Sequence, residues 1–220
     1  TLWGLLPIYW KALDAVPASQ ILANRMVWSL GFVVLVLAVR RQWSWLRPAL
    51  SSPRIILVYT AAALLLSLNW FTYIWGVNNG FIVETSLGYF INPLINVVLG
   101  VLFLGERLRW GQVVALSLAA AGVAYLTYNY GNLPWIAMTL ALSFGFYGLI
   151  RKTAPLDSTK ALALETGIMF LPALAYLLFV QMNGAGALGQ IDARTTLLLV
   201  GAGVATGLPL LLFGAAARQI

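Results

Sequence analysis

Cysteine and histidine are both absent from the sequence. A chain without cysteine forms no disulfide and offers no thiolate as a nucleophile or metal ligand. A chain without histidine lacks the commonest general base and the commonest zinc ligand of enzymes. Charged residues are also scarce, at 9% of the chain, whereas globular domains contain roughly 25%. We therefore expect no metal, no cofactor and no enzymatic activity, and the charge content is too low for a soluble domain.

Apolar residues make up 61% of the 220 residues. A helix that spans a bilayer needs about 20 mostly apolar residues. The apolar segments are residues 1–13, 19–39, 55–77, 85–104, 110–127, 133–150, 161–180 and 195–217. We predict an all-α, polytopic transmembrane helix bundle with about eight helices, the first of them shortened, that has the lipid bilayer as its main partner.

The net charge of +7 comes from basic residues at the ends of these segments. They form no single patch, so we expect no nucleic-acid partner. The connections after segments two, four and six carry Arg40, Arg41, Arg47 and Arg54, then Arg107 and Arg109, then Arg151, Lys152 and Lys160. The alternate connections carry Lys11 and Arg194. Because cytoplasmic loops are enriched in lysine and arginine, we predict a multi-pass protein with a cytoplasmic N-terminus.

A shift of about 140 residues aligns the chain with itself. It pairs Lys11 with Arg151, Pro17 with Asp157, Leu22 with Leu162, Ala23 with Ala163 and Arg25 with Glu165. Five predicted spans separate the copies, and since five is odd, the second copy crosses the membrane in the opposite direction. Inverted repeats are typical of secondary transporters, with the substrate near the bilayer midplane. We predict a first repeat over residues 1–132 and a partial second repeat over 133–220, with the last two helices missing.

Several motifs together resemble the RarD-type permeases, in the EamA branch of the drug/metabolite transporter superfamily. They are NWF at 69–71, WGVNN at 75–79, ETSLGYFINPL at 84–94, LGER at 104–107, RMVWS at 25–29, FGFYGL at 144–149, RK at 151–152 and ET at 165–166. The resemblance covers essentially the whole chain. It implies ten helices in two inverted five-helix repeats in a bacterial inner membrane. Family members are named for chloramphenicol sensitivity, and the resemblance leaves the natural substrate open.

Arg25 is a charged residue about two turns inside an apolar segment, segment two. An arginine inside a bilayer is costly, so we expect it to face a polar pathway and to have a partner. Glu84, at the start of segment four, is the predicted partner, with Asp14 as the alternative. The competing interpretation is that Arg25 extends to the membrane surface.

Glu165 occupies the position that corresponds to Arg25 in the second copy. A carboxyl group away from water binds a proton more readily, so Glu165 is our candidate for proton coupling. The competing interpretation is a structural glutamate near Lys160 or Lys152.

Polar side chains on other segments are further candidates for substrate contact. Asn92 and Asn96 lie four apart and share a helix face, with Tyr89 on the same side, and they line a cavity or bridge helices. Segment three supplies Asn69, Trp70 and Tyr73 at helical spacing, and segment six supplies Tyr147. Aromatic rings with a polar group suit amphipathic organic molecules, but tryptophan and tyrosine also collect at membrane interfaces.

The leading functional prediction is a secondary transporter that moves a small organic solute, such as an amino acid, metabolite or drug, by alternating access. The chain has no phosphate-binding loop of the ATPase type. An enzyme is disfavoured because Asp14, Asp157 and Asp192 all fall in connections. A channel or a non-transporting membrane protein is the remaining alternative.

Overall fold

A computed structural model describes residues 6–130 and 134–216 of the chain, and within those ranges the chain is helical with no strand. The helices are α1 (Leu6–Lys11), α2 (Ala18–Val39), α3 (Leu46–Leu50), α4 (Pro53–Asn78), α5 (Ile82–Leu104), α6 (Trp110–Tyr130), α7 (Trp135–Thr153), α8 (Ser158–Met182) and α9 (Ala193–Ala216). The prediction of an all-α chain is confirmed.

Segments two to eight coincide with α2 and α4 to α9, and their ends agree within three residues. The predicted start of segment six at Leu133, the repeat boundary at 132/133 and the predicted end at Ala217 lie outside the described residues. Segment one is represented by α1, and α3 was not predicted. α3 has five residues, too few for an amphipathic period to be visible in the sequence.

Several helices end in a left-handed residue that closes the last turn. At the end of α4 the Phe81 N–H donates to the Gly76 carbonyl over 2.8 Å, and Gly80 between them has φ of +86°. The Trp75 ring stacks on Phe81, with 5.5 Å between ring centroids, as the apolar contact of this helix end requires. α2 ends in the same way, but the left-handed residue there is Arg41, with φ of +51°.

The chain forms two compact units, and the first contains residues 1–63 and 155–220. In this unit α2 packs against both α8 and α9. Ala23 and Met26 of α2 cluster with Ala173 of α8, whereas Val33 and Leu37 cluster with Leu162 and Ala163. α2 and α8 are therefore antiparallel.

Close backbone approach joins α2 to α9. A methyl group on Gly203 would collide with the backbone of Trp28 and lie 2.7 Å from the Ser29 nitrogen. One turn further along both helices, a methyl on Gly207 would lie 2.5 Å from the Phe32 ring. The two helices therefore run parallel, and the small residues of α9 allow their contact.

The second unit contains residues 64–154, and in it α5 packs against α7 and α6. A methyl on Gly88 of α5 would lie 3.0 Å from Leu140, and one on Gly145 of α7 would lie 2.6 Å from Ile95. α5 and α7 are therefore parallel. From their small size we also expect residues 119–122 of α6 to pack tightly against another helix. This is wrong for the described residues: 119–122 are exposed, and a methyl group added to Gly122 would have no other element within 4 Å.

The apolar exterior is that of a membrane protein. Leu57, Phe90, Leu102 and Leu197 each expose about seven-tenths of their surface, and such exposure in water would be unfavourable. By length and composition, five of the described helices can cross a membrane: α2, α4, α5, the part of α6 from Trp110 to Asn129, and α8. α7 is shorter and ends in Arg151 and Lys152. The count of eight crossings stays a prediction.

Candidate functional site

Arg25 is a buried cation in the first unit. Its side chain is 4% exposed, and its guanidinium carbon lies 4.9 Å from the centroid of the Trp10 ring on α1. Trp10 is fully buried. A cation over an indole face is a favourable electrostatic contact that strengthens when water is excluded. This position argues against the interpretation in which Arg25 extends to the membrane surface.

Asp14, the alternative partner of Arg25, lies in the turn after α1. It forms an ion pair with Lys11 at 3.3 Å, and the side chains of both residues are about half exposed. Glu84 belongs to the second unit, so its ion pair with Arg25 stays a prediction.

Glu165 is the buried carboxylate of the first unit, with 2% exposure, and lies in the first turns of α8. Both lysines considered as its partners are engaged with other carboxylates. Lys160 pairs with Asp157 at 2.7 Å, and Lys152 pairs with Glu106. The role of Glu165, as a proton-coupling group or as a structural glutamate near one of these lysines, stays a prediction.

Asn69 joins α4 to α7 in the second unit. Its Nδ2 donates to the Leu140 carbonyl over 2.9 Å and to Ser143 Oγ over 3.0 Å. All of these groups are buried. Both amide protons of Asn69 are thus engaged within the protein, which leaves its oxygen as the atom with capacity for a further contact.

Glu84 and Asn92 lie two turns apart along α5. Both are nine-tenths buried, and Glu84 Oε2 and Asn92 Oδ1 receive no hydrogen bond from any described residue. Buried acceptors without a donor are unusual in native proteins. Asn96, one turn further on, is exposed, and a methyl group on Gly148 of α7 would lie 3.7 Å from its Oδ1.

The aromatic candidates divide by exposure. Trp70, Tyr73 and Tyr147 are buried, whereas Tyr89 is exposed. The rings of Tyr73 and Tyr89 meet edge to face at 5.7 Å. The Arg151 guanidinium lies 5.9 Å from the Tyr147 ring centroid. Of the ten candidate residues, Arg25 and Glu165 belong to the first unit and the other eight to the second.

Residues 1–128 match the model of the EamA-like transporter family. The chain belongs to this family. It is 46% identical over 219 residues to Protein RarD of Streptomyces exfoliatus, with 100% of this chain and 70% of the relative covered. It is 49% identical over 226 residues to the uncharacterized transporter YojE of Bacillus subtilis (strain 168), with 100% and 74% covered. It is 33% identical over 178 residues to the chloramphenicol-sensitive protein RarD of Pseudomonas aeruginosa, with 79% and 59% covered. No solved structure matches the chain.

Membership of the EamA-like transporter family, together with the apolar helices, identifies the chain as a multi-pass membrane transporter. A small-molecule substrate and a membrane environment follow from that assignment. The resemblance to RarD-type permeases inferred from the motifs is confirmed by relatives of that name that align with essentially the whole chain.

Two polar residues of this EamA-like chain escaped the sequence analysis. Gln20 and Asn24 lie four apart in the first turns of α2, and both are buried. Asn24 Nδ2 donates to the Gln20 carbonyl over 3.0 Å, and Asn24 Oδ1 receives no hydrogen bond from a described residue. The spacing that drew attention to Asn92 and Asn96 would have found this pair too, because two amides on one helix face are rare in an apolar segment.

Proposed function

We propose that the chain is a secondary transporter that moves a small organic solute, such as an amino acid, metabolite or drug, across a bacterial inner membrane by alternating access. One observation carries the proposal. α2 and α8 begin 140 residues apart, at Ala18 and Ser158, and each buries a charge at its eighth residue, Arg25 and Glu165. Buried charges in membrane segments are costly and mark substrate or ion pathways.

The relation between these helices supports inverted repeats over 1–132 and 133–220. α2 and α8 contact each other in antiparallel directions, as inverted copies must. α4 and α9 also begin 140 residues apart, at Pro53 and Ala193. In this scheme the N-terminus is cytoplasmic, and Arg25 and Glu165 serve opposite halves of the pathway.

Each unit contains buried polar groups that suit a charged or hydrogen-bonding solute. Arg25 attracts a carboxylate or another electron-rich group, whereas Glu84 and Asn92 offer buried acceptor oxygens to an ammonium or hydroxyl group. Glu165 is the group that exchanges the coupled proton. Tyr73, Tyr147 and Trp70 supply buried aromatic surface for an organic body.

The test begins with a search for the solute. Thermal stabilisation of the purified protein is screened against amino acids, other metabolites and chloramphenicol, which one relative's name mentions. Each stabilising solute is then tested for saturable counterflow in proteoliposomes. Linear, non-saturable flux would indicate a channel, and the absence of flux for every stabilising solute would indicate a protein that does not transport.

Variants assign the roles of the two charges. Arg25→Lys should raise the KM for the solute at least tenfold, because an ammonium cannot reproduce the fork of guanidinium donors. Glu165→Gln should remove the dependence of flux on a pH gradient. Glu106→Gln is the matched control for a carboxylate outside the pathway, and it should retain both properties. Normal pH dependence of Glu165→Gln would disprove the coupling role.

A further inference from the structure

Gln20 holds a distant loop of the first unit with both ends of its side-chain amide. Its Nε2 donates to the Ala185 carbonyl over 2.8 Å, and its Oε1 accepts from the Ala187 N–H over 2.8 Å. Gln20 is almost fully buried, and so is Ala187. The loop of residues 183–192, here called the α8–α9 loop, is thus attached at its middle to the first turn of α2.

The two ends of the loop are anchored without Gln20. At the α8 end, the Ala185 N–H donates to the Val180 carbonyl over 3.0 Å. At the α9 end, the Gly189 N–H donates to Thr196 Oγ1 over 3.1 Å. Because these bonds terminate α8 and initiate α9 locally, the Gln20 bonds serve a different purpose: they fix the middle of the loop to another helix.

The attached residues 185–187 lie between two glycines with left-handed backbone. Gly184 has φ of +71° and Gly189 has φ of +76°. Glycine adopts other backbone conformations at low cost, and hinges are formed by a few loop residues that absorb such changes. The middle of the loop therefore lies between two glycines whose backbone could change conformation at low cost once the Gln20 bonds break.

The loop is attached to the end of α2 that lies nearest the buried charge. Asn24 donates to the carbonyl of Gln20 itself, and Arg25 follows directly in the chain. Ser19, next to Gln20, is within 2.7 Å of the Tyr176 hydroxyl on α8. Gln20, the buried amide and the buried cation thus occupy the first two turns of one helix.

We propose that the α8–α9 loop is a gate over the N-terminal end of α2, that Gln20 is the positioning residue that latches it shut, and that it opens when the two amide bonds break. The proposal rests on the proposed function, because a gate of this kind is one half of alternating access. On the predicted topology the gate faces the periplasm.

The first experiment measures opening directly and needs no substrate. The chain contains no cysteine, so Ala187→Cys introduces a unique thiol that is buried while the loop is latched. In nanodiscs, a polar maleimide should label this thiol about tenfold faster when Gln20→Ala is added, because two hydrogen bonds of ordinary strength are lost. Gln20→Glu replaces the donor to the Ala185 carbonyl with a carboxylate oxygen that repels this carbonyl, so labelling should rise in this variant too.

The matched control is Gln190→Ala, the same substitution at an exposed position of the same loop, which should leave labelling unchanged. Circular dichroism and size-exclusion profiles check that each variant is folded. Equal labelling rates in the folded Gln20 variants and the Gln190 variant would overturn the latch.

The second experiment closes the gate. Gln20→Cys and Ala185→Cys are joined in proteoliposomes with a reducible bis-thiosulfonate linker. Counterflow of a stabilising solute should stop on cross-linking and recover with reductant. Flux that continues through the cross-linked protein would overturn the gate while leaving the transporter intact. Absence of flux from the unmodified chain would instead count against the proposed function, and the labelling experiment would still test the latch.

Discussion

Lys152 at the end of α7 forms an ion pair with Glu106, which follows α5. The Glu106 N–H donates to the Gly100 carbonyl over 3.1 Å, and the Glu106 carboxylate folds back over Gly100. A methyl group at Gly100 would lie 2.6 Å from Glu106 Oε2. Because Gly100 has no side chain, the carboxylate of Glu106 has room to reach the lysine, and Glu106 of the LGER motif has a structural role.

This arrangement predicts a small coupling energy that depends on Gly100. Because both side chains are about half exposed, Glu106→Gln and Lys152→Met should show a coupling of about 0.2–1 kcal/mol in a double-mutant cycle. In the Gly100→Ala background the displaced carboxylate should lose this coupling. The free energy of unfolding in mixed micelles measures both values. Since salt screens exposed charges, a coupling unchanged at high salt, or retained with Gly100→Ala, would contradict the interpretation.

The close contact of Gly203 with α2 predicts that a methyl group added at this position destabilises the packing of α9 against α2. In Gly203→Ala the added methyl carbon would collide with backbone atoms of Trp28 and Ser29. Backbone atoms cannot relieve the collision by changing rotamer, as a side chain can. Overpacking of this kind costs about 1–3 kcal/mol. The control is Gly31→Ala on α2, where nothing lies within 4 Å, and it should be neutral or stabilising. Thermal unfolding in detergent compares them, and equal midpoints would refute the prediction.

The helices could be predicted from the sequence because apolar length alone defines a membrane segment. The starts of α2 and α6 agree with the prediction within one residue. Small residues were a weaker guide. Those of α9 allow close helix contact, whereas those at 119–122 of α6 are exposed, since a small side chain permits an approach without causing one.

The partners of the buried polar and charged residues could not be predicted. Arg25 packs on Trp10, and Gln20 binds residues more than 160 positions away. Such contacts depend on which helix faces lie together, and no local pattern encodes them. The repeat could be predicted because oppositely charged residues, Arg25 and Glu165, stand at matching positions of two apolar segments, and a single charge within an apolar segment is a local feature of the sequence.

The hydrogen bonds from Asn69 to α7 predict that replacing Asn69 and replacing Ser143 destabilise the protein by different amounts. Asn69→Leu removes both hydrogen bonds to α7 and should destabilise the protein by about 1–3 kcal/mol. Ser143→Ala should cost less, because Asn69 Nδ2 keeps its hydrogen bond to the Leu140 carbonyl in this variant. Since the two residues share one bond, the double variant should cost less than the sum of the single variants. Strict additivity in the unfolding free energies would show that the hydrogen bond between Asn69 and Ser143 contributes nothing.

Asp192 predicts a pH dependence at the start of α9. The Thr195 N–H donates to its carboxylate, and this bond holds the pKa of Asp192 below its usual 3.8. Because folding lowers this pKa, the ionised Asp192 carboxylate stabilises the folded state fully at pH values above the usual pKa. This stabilisation is lost as the pH falls below the usual pKa and then through the folded-state pKa. In Asp192→Asn the acceptor oxygen stays but does not titrate between about pH 5 and pH 3. The protection of the Thr195 amide against hydrogen exchange, corrected for the intrinsic pH dependence of exchange, should therefore fall less on acidification over this range than in the wild type. Asp14→Asn, which removes an exposed carboxylate paired with Lys11, should keep the wild-type acid response at Thr195. An Asp192→Asn profile that follows the wild type throughout this range would show that the carboxylate charge does not stabilise the start of α9.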